Sequence, residues 1–165
     1  MMKLQVVTGG LLLAIGAAAL PAQAHDMAAF DAAAAQAVLN GCVVHAEANG
    51  QSQGIVVVDA GGHIMAALRM DGNGPGAIAF AEEKAYAAAT WGFPTSGMEQ
   101  GARNTPGFAD APGVVTVGGG VPIYDATGQH RLGAIGVSGE PPEDDIACAE
   151  AGIAAAGFLP SRVRQ

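Results

Sequence analysis

Glycine dictates the layout of this chain. It supplies 25 of 165 residues, about twice the usual share of roughly 7%. The glycines gather at Gly61-Gly62, between Gly72 and Gly76, at Gly118-Gly119-Gly120, and along Gly133 to Gly139. They keep no three-residue period, which excludes a collagen-like helix. Each cluster breaks or thins an apolar segment, so glycine is serving turns and close backbone approaches.

The segments between the clusters read clearly. Residues 27–48 are Ala-rich, with Phe30, Val38, Leu39, Cys42 and Val43 recurring at helical spacing. They predict an amphipathic helix with Asp26 as N-cap and Asn49-Gly50 as its stop. Gly54 to Asp59 is a strand apolar on both faces, hence central. The turn Ala60-Gly61-Gly62 returns it as a second strand from His63 to Arg69. Residues 77–90 predict a second helix, and Ser96 to Pro112 an irregular polar stretch. Val114–Val117, Val121–Tyr124 and Leu132–Ser138 read as three further strands. Pro141-Pro142 opens a last helix running to about Gly157, with Glu143, Asp144 and Asp145 suiting its positive end. Tight turns between neighbouring strands predict one antiparallel sheet with helices packed on it, an α+β domain.

Charge narrows the function. Seven Lys and Arg stand against 15 Asp and Glu, a net charge of −8. That balance argues against a nucleic-acid groove or an anionic membrane surface. Lys3, the apolar stretch from Val6 to Leu20, and Ala22-Gln23-Ala24 read as a signal peptide cut after Ala24. Residues 25–165 then form a single domain, periplasmic or secreted, with no membrane insertion after cleavage. Cys42 and Cys148 pair in an oxidising compartment or stay as two buried thiols; the sequence leaves both open.

Five pieces carry a resemblance. They are Val57-Val58-Asp59-Ala60-Gly61-Gly62-His63, Arg69-Met70-Asp71-Gly72, Glu83-Lys84-Ala85, Gly119-Gly120-Val121-Pro122-Ile123, and Gly133 to Gly139 followed by Asp144 and Asp145. In this order and spacing, over nearly all of residues 27–157, the chain resembles the GlcG/HbpS family of haem-binding-type proteins, which includes the C-terminal domain of PduO-type proteins. The resemblance implies a profilin-like five-stranded antiparallel sheet packed with helices, assembled as a homo-oligomer. It also implies a small ligand, haem or a related tetrapyrrole. The chain departs from the family's pattern at Ala81-Glu82-Glu83 and in the loop from Ser96 to Phe108.

Two sets of residues are candidates for a site. His63, and less directly His45, offer imidazole nitrogens to a haem iron or a metal. Arg69, Asp71, Lys84 and Ser138 would make a pocket for a carboxylate if the strand ends and second helix converge. A haem propionate is a carboxylate, and so is a small organic acid. Three functions remain open. The first is an exported haem- or ligand-binding protein. The second is a periplasmic enzyme or accessory protein acting on a small organic acid, with Arg69 and Lys84 holding it. The third is a self-assembling structural protein. No nucleophile motif, phosphate loop or zinc motif is present.

Overall fold

The computed structural model describes residues 30–163. The expected signal peptide and the expected cap Asp26 lie outside that range. Helix α1 spans Ala32–Ala48 and is capped by Asp31, whose side chain accepts from the Ala34 amide at 2.9 Å. The cap therefore sits later than expected, at the other Asp of the same segment. Strands β1 (Gly54–Asp59) and β2 (Ile64–Arg69) form the hairpin. Helix α2 spans Pro75–Trp91 and ends at Gly92, which takes φ +79. Helix α3, Thr95–Asn104, comes next. Strands β3 (Gly120–Tyr124) and β4 (Arg131–Ser138) precede helix α4, Pro142–Ala155.

Helix α3 lies in the stretch expected to be irregular, and a single 3-10 turn at Phe108–Asp110 comes after it. Gly97 and Gly101 lower its intrinsic helicity. Tertiary packing compensates: Met98 and Thr95 are buried, and Phe108 closes against Gly101.

The sheet is antiparallel with the order β2-β1-β4-β3. It has four strands, not the expected five. Val114–Val117 joins no ladder. It has no strand opposite it, because β4 ends at Ser138 and the chain turns into α4. The Val137 amide still donates to the Gly119 carbonyl at 2.9 Å. The Val137 carbonyl, which would accept from the chain before β3, accepts from Lys84 Nζ at 2.9 Å instead. The ladder stops there, and Gly119 turns away at φ +118. On the outer side of β3, Tyr124 and Leu159 exchange an isolated bridge.

Two layers cover the sheet. Helices α1 and α4 pack on Ile55, Val57, Val121, Ile123, Ile135 and Val137. Each such side chain removed from water contributes about 1.5–3 kcal/mol. Cys42 of α1 and Cys148 of α4 form a disulfide with Cα atoms 4.7 Å apart, which settles the open question of the cysteines. Helix α2 covers the other face through Ala81, Ala85, Ala88 and Ala89. Gly136 lies beneath it, so close that a Cβ there would strike the backbone of Ala81 and Ala85.

Candidate functional site

The hairpin tip is built by one carboxylate. Asp59 Oδ1 accepts from the amides of Gly61 (2.8 Å) and His63 (2.9 Å). This is a side-chain-capped turn of the kind Asp favours. The His63 amide beside Asp59 holds its carboxyl below the usual carboxylate range, and the His63 ring and Gly61 amide act in the same direction. His63 precedes β2 rather than beginning it, and its side chain is 83% exposed. Its Nδ1 lies 3.2 Å from both carboxylate oxygens. A carboxylate on one ring nitrogen fixes the ring and leaves the other free to ligate.

Beside the tip is a cleft of about 560 Å³, walled by Gly62, by Ala79, Glu82, Glu83 and Tyr86 of α2, and by the Gly113–Val115 segment. Tyr86 is half-exposed and lies against two glycines. A Cβ on Gly62 would come within 2.5 Å of its ring, and one on Gly113 within 3.4 Å. Helix α2 can bring Tyr86 here because alanine and glycine let it sit low on the sheet.

The expected carboxylate pocket is not assembled as one cavity. Lys84 is 1% exposed, and its ammonium contacts Asp145 of α4 at 2.7 Å. It also lies 4.8 Å from the centre of the Phe80 ring. Burial pushes the Asp145 carboxyl up, against the opposing pull of Lys84. The pair ties α2 to α4 past the end of the ladder, so the Lys84 charge is already matched. Ser138 is buried at the end of β4.

Arg69 and Asp71 are exposed and lie by a smaller cleft of about 310 Å³, alongside Val43 and Glu47 of α1. Arg69 donates to the carbonyl of Asn73. The Asn73 amide donates to Ser52 Oγ at 2.8 Å, and that hydroxyl donates to the Asp71 carbonyl at 2.6 Å. These bonds stitch the loops at the far end of β2 from His63. His45 is half-buried in the last turn of α1. Among the described residues, no three His, Cys, Asp or Glu side chains gather as a metal site.

Sequence reasoning named His63 but passed over Asp59, Tyr86 and Glu83. The Asp59–His63 spacing was a usable signal, since an Asp before Ala-Gly-Gly caps its own turn. Tyr86 gave none, because its place depends on how low α2 sits.

Fold and site together define an α+β domain with one antiparallel sheet between two helical layers and an open cleft at a hairpin tip. A family model described as "Haem degrading protein HbpS-like" matches residues 30–154; the chain belongs to that family. Protein GlcG of Escherichia coli (strain K12) is 38% identical over 105 residues, 63% of this chain and 77% of GlcG. The structure of an HbpS double mutant from Streptomyces reticuli has a TM-score of 0.70 at 31% identity, covering 87% of this chain and 97% of that one. The fold is shared with the structure of a PduOC:heme complex, at TM-score 0.74 and 22% identity, covering 81% of this chain and 99% of that one.

Proposed function

We propose that this protein binds haem or a related tetrapyrrole at the hairpin-tip cleft, with His63 as the iron ligand. The observation that carries the reading is the His63–Asp59 pair beside the Tyr86 cleft. The residues fit the group in three respects. His63 offers a carboxylate-oriented imidazole. Tyr86, Ala79, Val114 and Val115 give apolar and aromatic walls. The cleft lies within the range of small-molecule sites, about 300–1,000 Å³. Glu82 and Glu83 line the same cleft and would repel a carboxylate there. Bound haem would supply iron-centred redox and oxygen chemistry; the chain's own part is to hold the iron and orient its ligand. The family's description and the haem complex of the structural neighbour support the same ligand.

Export and self-assembly belong to the proposal. The Cys42–Cys148 disulfide suits an oxidising compartment, in line with the leader-like residues 1–24. Strand β2 is an open sheet edge with Ile64 and Leu68 exposed, which suits pairing with a second copy. Among the described residues no helix is long and apolar enough to cross a membrane.

Hemin titration followed at the Soret band tests the ligand. The expected result is a shifted band that saturates at a fixed stoichiometry. A spectrum that stays that of free hemin would sink the proposal.

A further inference from the structure

The seven basic residues of this acidic chain are unevenly engaged. Lys84 is matched by Asp145 and Arg103 by Glu99, while Arg69 donates to the carbonyl of Asn73. Lys3 and Arg164 lie outside the described residues. The remaining two are Arg131 and Arg162: Arg162 lines a cleft at the β3 edge of the sheet, and the Arg131 guanidinium sits against Gly92 of the same cleft, at the opposite end of α2 from its Pro75 start.

A cleft of about 530 Å³ opens there, lined by Phe93, Pro94, Pro122, Tyr124, Pro160 and Arg162 among others, and by no acidic side chain. Arg131 is the ladder partner of Tyr124. Both converge on Gly92. The Tyr124 hydroxyl donates to the Gly92 carbonyl at 3.1 Å, and the Arg131 guanidinium lies where a Gly92 side chain would be. Arg131 Nε is buried with no hydrogen-bond partner. Among the described residues no carboxylate stands within 4.0 Å of either arginine. A half-buried guanidinium is a planar fork of donors that matches a carboxylate, and leaving it without an acceptor is costly.

We propose that this cleft is a second ligand site, for a small aromatic carboxylate. The carboxylate meets Arg131 and Arg162, and the ring lies among Phe93, Pro122 and Tyr124. The net acidity of the chain repels anions at long range, so capture depends on these two cations together with apolar contact. Neither His63 nor the Tyr86 cleft takes part, so this site stands or falls separately from haem binding.

Benzoate is the probe. Trp91, the single tryptophan, lies edge-on to Phe93 with ring centres 6.3 Å apart, so its emission reports on the cleft. Titration by calorimetry and Trp91 emission should show saturable benzoate binding. Benzyl alcohol and inorganic phosphate should each bind about tenfold more weakly or worse, since each lacks one half of the recognition. Arg131→Lys should weaken benzoate about tenfold. Arg162→Ala, on an exposed tail, should weaken it about threefold with the circular dichroism spectrum unchanged. His63→Ala should leave it unaltered. Absence of saturation at millimolar benzoate, phosphate binding as tightly as benzoate, or unchanged affinity in both arginine variants overturns the proposal.

Discussion

On one face of the sheet, α1 and α4 rest on branched aliphatic side chains and are joined by the Cys42–Cys148 disulfide. On the other, the alanines of α2 rest on Val56, Val58 and Ala134, and Gly54 and Gly136 let its backbone come close to the sheet. The first face is held by bulk and a covalent link. The second is held by closer approach, and its buried ion pair, Lys84 to Asp145, reaches past the ladder into the first layer. The difference explains where function can sit. The α1–α4 face is filled with core. The low seat of α2 brings Tyr86 and Glu83 level with the hairpin tip, and Gly92 level with Tyr124 and Arg131.

Breaking the link between the faces should have the largest effect. Lys84→Met leaves Asp145 buried without its partner, an expected loss of about 3–5 kcal/mol in denaturant unfolding. Adding Asp145→Leu should restore part of it, because removing both charges also removes their desolvation cost. A double variant no better than Lys84→Met would show that the pair is not coupled.

Reducing the disulfide attacks the first face alone. The bond spans a sequence separation of 106 residues, and its loss should cost about 2–4 kcal/mol. Stability measured with and without reductant gives the number, and equal midpoints would contradict it.

Gly136→Ala attacks the second face alone. The added methyl meets the α2 backbone rather than a movable side chain, and about 1–3 kcal/mol should be lost. Ala is otherwise a better strand residue than Gly, so an unchanged melting temperature would mean α2 is free to lift.

A smaller effect concerns pH. Burial raises the Asp145 carboxyl above its ordinary value. The folded state then holds this proton when the unfolded chain has released it, so stability falls as pH rises through the interval from about 4 up to the raised value. Asp145→Asn removes that titration. The wild type should therefore lose ground to the variant as pH rises across this window; a gain would reverse the assigned direction. Val44→Ser, on the exposed side of α1, should change stability by less than about 0.5 kcal/mol.

The two faces also differ in how far the sequence disclosed them. The face built of periodic aliphatic residues was legible: α1, β1, β4 and α4 follow from spacing and from proline and glycine punctuation. The failures cluster where tertiary contact overrides local pattern. Val114–Val117 is a good strand sequence with no strand opposite it, because β4 ends at Ser138 and the chain turns into α4. Thr95–Asn104 is a poor helix sequence held by Met98 and Phe108. The burial of Lys84 was not legible, because nothing local tells a buried lysine from an exposed one; its partner lies 61 residues away. His63 was legible as a candidate because a glycine turn exposes the residue at its exit, but the Asp59 contact that orients it comes only from the folded turn.

Whether His63, held by Asp59 and next in sequence to Gly62 of the Tyr86 cleft, ligates haem iron is read most directly by hemin titration of the wild type against His63→Ala, with and without added imidazole. Ligation by His63 predicts a saturating Soret shift in the wild type and affinity weakened about tenfold or more in the variant. It also predicts recovery of the wild-type spectrum when imidazole takes the vacant position. The same Soret position and affinity in both proteins would contradict it.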